Sequence, residues 1–307
     1  MSSRSASLNA PYRGRLAPSP TGFLHLGHAR TFWVAQQRAQ ERGGILVLRN
    51  EDLDRDRSRP EFVSGMLEDL RWFGFRWQEG PDCGGAFGPY SQSERQPAYR
   101  AAFQRLRDGG YVYPCCCSRR DVQRASRAPH AEDDEPIYPG TCRPRVQSAS
   151  QVLPDEPFKT AAESQVKLMD SNRNWNWRFR APDGEKISFL DGGMGAQSFI
   201  AGKDFGDFVV WRHDDVPSYQ LAVVVDDAAM MMTEVVRGAD LLISTARQHL
   251  LYRALGLTPP AFYHCPLLTD EHGVRLAKRQ ESLSLRALRA EGLSPQALRA
   301  SAAFSRR

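Results

Sequence analysis

The run Ile45-Leu46-Val47-Leu48 constrains the fold of this chain more than any other feature. It lies between Gly43-Gly44 and the polar Arg49-Asn50-Glu51-Asp52, and it shows no alternation of apolar and polar residues. A strand with one wet face alternates, whereas a continuous apolar run of strand length is covered on both faces. Upstream, His25 to Arg42 carries apolar residues at helical spacing (Leu26, Ala29, Phe32, Trp33) and stops at the glycine pair. Arg13 to Ala17 reads as a short strand stopped by Pro18, and Pro18-Ser19-Pro20-Thr21-Gly22 as a turn. Strand, helix, strand within the first 54 residues is the unit of a parallel α/β sheet.

The rest of the chain extends this pattern. Residues 1–12 read as a loose, serine-rich tail. Pro60 to Phe73 and Ser93 to Asp108 read as helices, the second closed by Gly109-Gly110. Trp175 to Phe179, Lys186 to Leu190 and Gln197 to Ile200 alternate like short antiparallel strands. Residues 208–265 return to α/β character, with a helix over Leu241 to Leu255, and 281–300 read as helical. Residues 146–170 are weakly patterned and are expected to form a mobile insertion.

With 41% hydrophobic and 25% charged residues, the 307-residue chain is neither disordered throughout nor fibrous. No apolar run approaches the roughly 20 residues that span a bilayer. The polar segment Met1 to Ala10 lacks the apolar stretch of a secretion signal, so a cytoplasmic protein with no membrane partner is expected. A net charge of +5 fits a polyanionic partner, although many soluble proteins carry as much.

Three stretches carry the chemistry. Arg15-Leu-Ala-Pro-Ser-Pro-Thr-Gly-Phe-Leu-His25-Leu26-Gly27-His28 joins a strand to a helix N-terminus, where free N–H groups and the helix dipole favour an anion. Taken alone, two histidines at that spacing are a weak signal; in a strand–turn–helix setting they are stronger. The second stretch is Tyr219-Gln220-Leu221-Ala222-Val223-Val224-Val225-Asp226-Asp227, followed by Thr233-Glu234-Val235-Val236-Arg237-Gly238. The third, Gly273-Val274-Arg275-Leu276-Ala277-Lys278-Arg279, reads alone as a basic surface loop.

In this order the three stretches resemble the class I aminoacyl-tRNA synthetases. His25-Leu26-Gly27-His28 matches their HIGH signature, and Lys278 stands as the second lysine of a degenerate KMSKS loop, in which Arg275, Ala277 and Arg279 replace other members. Arg15 to Gly22, together with Arg49-Asn50-Glu51-Asp52-Leu53-Asp54, resembles the glutamyl branch. That resemblance implies a Rossmann-like parallel sheet interrupted by a zinc-bearing insertion. It implies that Arg15, Ala17, Ser19, Glu51, Tyr219 and Arg237 hold L-glutamate, and that His25, Gly27, His28 and Lys278 hold ATP with its Mg²⁺. His25, His28 and Lys278 would carry the catalysis. The physics agrees, since two arginines can clamp carboxylates and Glu51 can pair with an ammonium; which arginine takes the side-chain carboxylate stays open. One departure is Met230-Met231-Met232, which stands where the branch usually has a glycine.

Four of the six cysteines, Cys115, Cys116, Cys117 and Cys142, fall within one short segment. In a reduced compartment a metal site explains them better than disulfides. Free buried cysteines are the alternative, and no histidine stands at a finger-like spacing. The pattern Cys115-x-Cys117 followed by Tyr138-x-x-x-Cys142 resembles a truncated paralogue of the glutamyl branch, and by that resemblance these four residues ligate one structural Zn²⁺, with Cys116 as a competitor. Too little chain follows Lys278 for the anticodon-binding portion of a full synthetase, which agrees with the same paralogue.

The expected organisation is a tail (1–12), a first catalytic half (13–110), the insertion (111–200), a second catalytic half (201–280) and a short helical end (281–307). No anticodon-binding domain is expected. By resemblance, glutamate is activated as its adenylate and transferred to queuosine in the anticodon loop of tRNA(Asp), by a monomer. The alternatives are a short glutamyl-tRNA synthetase charging the 3′ end, a nucleotidyl-transferring enzyme with another acceptor, and a non-catalytic zinc and RNA-binding module.

Overall fold

A computed structural model describes residues 11–117, 137–144, 175–267, 284–301 and 304. Strand β1 (Arg13–Leu16), helix α1 (Leu26–Glu41) and strand β2 (Ile45–Leu48) form the first crossover unit. β1 and β2 are parallel, with Arg13 opposite Ile45 and Leu16 opposite Leu48. Helix α1 buries Leu26, Ala29, Phe32, Ala35 and Ala39 along one face, the spacing that identified it in the sequence. Gly44 is required where the chain enters β2, because a Cβ there would lie 2.4 Å from the carbonyl oxygen of Tyr12.

Helices α2 (Pro60–Phe73) and α3 (Gln96–Asp108) follow. Strands β3 (Val112–Cys115), β4 (Asn176–Phe179) and β7 (Phe208–Trp211) make a separate antiparallel sheet in the order β3-β4-β7. Strands β5 (Lys186–Asp191) and β6 (Gly195–Ile200) form a hairpin. After β7 come helix α4 (Tyr219–Ala229) and a second crossover unit: β8 (Glu234–Gly238), helix α5 (Leu242–Ala254) and β9 (Ala261–Cys265). β8 and β9 are parallel, and β5 joins β9 in parallel through Asp191 and Phe262.

The fold is therefore built of mixed sheets and helices. Among the named strands of the described residues, antiparallel pairing is confined to the hairpin and the separate sheet. Strand pairing cuts across the linear divisions read from the sequence. The β5–β6 hairpin belongs to the sheet of β8 and β9, while β7 completes the sheet that begins at β3. Sequence proximity cannot show this, because hydrogen-bond partners here are far apart along the chain.

The two crossover units meet along β1 and β8. Thr233 N donates to Arg13 O at 2.9 Å, and Arg13 N donates to Thr233 Oγ1 at 2.9 Å. The carboxyl ends of β1, β2, β8 and β9 then open on one crevice, the place where open α/β sheets bind ligands. Helices α6 (Leu285–Ala290) and α7 (Pro295–Ala300) pack Leu285, Leu288 and Leu298 into the core that holds Met66, Leu70 and Phe73 of α2. The helical run expected over 281–300 is thus two helices in its described part, separated at Gly292 (φ +80°) and restarted by the Ser294 side chain, which accepts from Ala297 N. No described helix is long and apolar enough to cross a membrane.

Candidate functional site

A cleft of about 530 Å³ lies at the carboxyl edge of the parallel strands. Arg15, Ala17, Ser19, His25, Gly27, His28, Glu51, Tyr219 and Arg237 all line it. These residues come from β1 and its following turn, the start of α1, the end of β2, the start of α4 and the end of β8. Lys278 lies outside the described residues, as do the 146–170 segment and the tail through residue 10.

His25 is the N-cap of α1. Its Nδ1 accepts from Gly27 N at 3.2 Å, and His28 Nδ1 reaches back to His25 N at 3.5 Å, so each ring closes one side of a reciprocal cap. The rings stack at 3.7 Å. With Nδ1 accepting, the hydrogen of each neutral ring sits on Nε2. Burial holds the pKa of His25 below its ordinary value, and burial with the adjacent His25 ring does the same for His28. The cleft therefore presents two neutral donors at a helix N-terminus.

Around Glu51 the groups are charged and buried. Arg49 has no exposed surface; its Nη1 donates to Asp227 Oδ1 at 2.6 Å, and its Nη2 to Glu51 Oε1 at 2.8 Å. Arg15 donates from Nη1 to Val236 O at 2.8 Å, and its Nε lies 3.6 Å from Asp227 Oδ1. Burial raises the pKa of Glu51, and the Arg49 and Arg15 charges oppose that rise. Both bonds from Arg49 go to Oε1 of Glu51, which leaves Oε2 for a cation entering the cleft.

Arg237 is held from behind. Its Nε donates to His264 Nε2 at 3.1 Å, and its Nη2 to Thr245 Oγ1 and Gln248 Oε1, both at 2.7 Å. Nη1 lies 3.4 Å from Tyr219 Oη. The Nη1 corner is thus the part of this guanidinium left for a ligand. Sequence reading singled out Arg237 but passed over Asp227, Thr245, Gln248 and His264 as site residues. The acidic pair Asp226-Asp227 at the end of an apolar helix was a visible signal; a single histidine in a strand was not.

The cysteine segment forms a second cluster at the end of β3. The sulfurs of Cys115, Cys117 and Cys142 lie within 4.8 Å of one another. Tyr138 Oη stands 3.4 Å from Cys115 Sγ and 3.6 Å from Cys117 Sγ, and Cys117 Sγ is 3.6 Å from Cys142 Sγ. Tetrahedral zinc ligation places two thiolates roughly 3.7 Å apart, and a thiolate and an oxygen roughly 3.5 Å apart, so the four donors fit that ion. Cys116 Sγ also lies 3.6 Å from Cys142 Sγ, but Cys116 is exposed. Arg178 donates from Nε to Cys115 Sγ at 3.3 Å and stacks 3.9 Å from the Tyr138 ring.

Residues 12–304 match the family of class I tRNA synthetases (E and Q), catalytic domain. A Glutamyl-Q tRNA(Asp) synthetase of Symbiobacterium thermophilum is 49% identical over 284 residues, which cover 92% of this chain and 83% of that protein. Another of that name, from Nitratidesulfovibrio vulgaris, is 48% identical over 281 residues, covering 92% and 82%. Among solved structures, the glutamate-tRNA synthetase of Elizabethkingia anophelis has a TM-score of 0.74 at 31% identity and covers 88% of this chain. The chain spans about half of that protein, 53% of its length.

Proposed function

Since the chain belongs to the class I tRNA synthetases of the glutamate and glutamine branch and is a ligase of that type, we propose that it activates L-glutamate with ATP and transfers it to queuosine in tRNA(Asp). The observation that carries the reading is the placement of Arg15, Glu51, Tyr219 and Arg237 in one cleft with the His25–His28 helix start. Glutamate brings two carboxylates and one ammonium. Arg15 and Arg237 complement the carboxylates, and Glu51 takes the ammonium. The relatives named above support the queuosine acceptor.

In the first step the α-carboxylate attacks the α-phosphorus of ATP, and pyrophosphate leaves. An α-carboxyl pKa near ~3.5 means the nucleophile is already ionised, so no general base is needed. Catalysis is positioning plus stabilisation of phosphate charge. His25 and His28 donate from Nε2, and Lys278 adds the positive charge that the neutral rings do not supply. Mg²⁺ bound with ATP would neutralise the pyrophosphate. Cys115, Cys117, Tyr138 and Cys142 would hold one Zn²⁺, whose part is to fix the end of β3 against the Tyr138 loop.

The test is glutamate-dependent exchange of pyrophosphate into ATP without tRNA, with aspartate and glutamine run beside it. Exchange with glutamate alone is expected. Labelled glutamate should then be transferred to tRNA(Asp), and the label should survive removal of the terminal adenosine. A label lost with that adenosine would instead assign the 3′ end as acceptor. Absence of exchange with or without tRNA would overturn the enzymatic reading of the cleft.

A further inference from the structure

Behind Arg237 runs a buried chain of side chains that the proposed chemistry does not use. His264 and Asp191 both have fully buried side chains. Asp191 Oδ2 lies 2.6 Å from His264 Nδ1. Asp191 Oδ1 accepts from the backbone N–H groups of Gly193, Met194 and His264 at 2.9, 2.8 and 3.0 Å. The turn after Asp191 packs against β9 so closely that a Cβ on Gly193 would lie 2.1 Å from the carbonyl oxygen of His264. The carboxylate therefore has a fixed place and a fixed direction.

From this geometry we infer that Asp191 and His264 are positioning residues for Arg237, and that they set the tautomer which lets the arginine present its Nη1 corner to glutamate. The inference rests on the reading of Arg237 as a glutamate-binding residue. Asp191 accepts the hydrogen on Nδ1, so His264 Nε2 carries a lone pair, and that lone pair receives Arg237 Nε–H at 3.1 Å. Thr245 Oγ1 and Gln248 Oε1 take Nη2. The guanidinium can then neither rotate nor slide without leaving a buried N–H unpaired. Burial and the Arg237 charge push the His264 pKa down to about 4, so the ring is neutral at physiological pH and is an acceptor rather than a second cation.

This arrangement gives Asp191→Asn a specific consequence. The three backbone donors keep the Asn carbonyl oxygen in the Oδ1 place, so the amide nitrogen faces His264 Nδ1. The ring must then move its hydrogen to Nε2, where it donates to Thr245 Oγ1, 3.1 Å away, and no longer accepts from Arg237 Nε–H. Glutamine at position 264 has a carbonyl oxygen at a reach similar to Nε2 and needs no tautomer. His264→Gln should therefore still receive Arg237, and leucine there should not.

The test measures KM for glutamate and for ATP in pyrophosphate exchange, with thermal unfolding as a control. The variants are Arg237→Lys, Asp191→Asn, His264→Gln, His264→Leu and the double variant Asp191→Asn/His264→Gln. Asp191→Asn and His264→Leu should raise the glutamate KM roughly tenfold to a hundredfold, the usual scale for loss of a positioning partner, with the ATP KM nearly unchanged. In the His264→Gln background, Asp191→Asn should cost little. A cost that persists in full there would make Asp191 merely an anchor of its turn and would overturn the inference. If Asp191→Asn does not fold, equal glutamate KM values for His264→Gln and His264→Leu would overturn it in the same way. An unchanged glutamate KM in Arg237→Lys would instead sink the reading of the cleft on which the inference rests.

Discussion

Arg49 and Asp227 form an ion pair of 2.6 Å between a guanidinium with no exposed surface and a carboxylate with 1%. The pair ties the end of β2 to the end of helix α4, and Arg49 also serves Glu51, so one cation holds the floor of the cleft. Asp226 lies 3.8 Å from the same arginine and takes further bonds from Arg95 and Tyr99. Replacing Arg49 with methionine would leave buried carboxylates short of a cation. The expected loss is about 3–5 kcal/mol of unfolding free energy, read by chemical denaturation. A loss under about 1 kcal/mol, the range of exposed pairs, would show that water or another cation reaches the site.

Glu51→Gln separates the proposed ammonium contact from the scaffold. The amide keeps the shape and can still accept from Arg49, but it cannot neutralise an ammonium. A hydrogen bond to a charged group is worth about 1.5–3 kcal/mol. The glutamate KM should accordingly rise by roughly tenfold or more while the ATP KM holds. A rise in the ATP KM of the same size would place Glu51 on the nucleotide side of the cleft.

Met231 explains the departure noted in the sequence. It adopts φ +58°, the left-handed region that glycine enters freely, and its side chain is 59% exposed. Its neighbours Met230 and Met232 are buried with Val47 and Tyr90, so the apolar flanks serve the core while the middle residue makes the turn. Met231→Gly gives up little burial and relieves a conformation that costs about 1–2 kcal/mol. Part of that gain is returned in the unfolded chain, where glycine has more freedom to lose. A stabilisation of about 0.5–1 kcal/mol is expected in thermal or denaturant unfolding, and a destabilisation would show that the Met231 side chain makes a contact of its own.

The proposed metal site at the cysteine cluster is testable without activity. Cys117→Ser and Tyr138→Phe each remove one of the four donors. Both should lower the bound zinc from one equivalent per chain, measured by elemental analysis after dialysis, with the thiolate loss the larger. Cys116→Ser should leave one equivalent in place, since that thiol is exposed. Loss of metal in Cys116→Ser with retention in Cys117→Ser would exchange their roles.

The parts of the molecule legible in the sequence were those governed by local rules. Ile45 to Leu48 is apolar throughout because both faces of β2 are covered, and α1 begins where His25 caps it. The cleft residues Arg15, Glu51 and Arg237 were recognisable because the motifs around them resemble those of the glutamyl branch. What stayed hidden depends on pairing across long stretches of chain. Nothing near Asp191 announces that β5 will lie beside β9, so the Asp191–His264–Arg237 chain could not be seen. The pairing of β7 with β4, and Arg49 as the common partner of Asp227 and Glu51, escaped for the same reason.

Asp69 offers a prediction whose sign depends on pH. It lies on α2 where α6 and α7 pack, is 1% exposed, and neither carboxylate oxygen has a hydrogen-bond partner among the described residues. Burial raises its pKa from 3.8 to about 6, with Arg286 opposing the rise. Below pH 3.8 the group is protonated in both folded and unfolded chains, and it costs nothing as a charge. As pH rises toward 6 the unfolded chain releases its proton first, so stability falls through that window and the full cost stands above it. His249 and His264, both pushed down to about 4 by burial and the Arg237 charge, act in the opposite sense, since stability is lost as pH falls below 6.5 toward 4. The total stability curve therefore mixes the two effects, and the difference between Asp69→Asn and the unaltered chain isolates one. Asp69→Asn should be the more stable at pH 8, by at most about 3 kcal/mol, and the advantage should shrink to nothing near pH 4. A difference that is flat across this range would mean that Asp69 is not held as a buried, unpaired carboxylate.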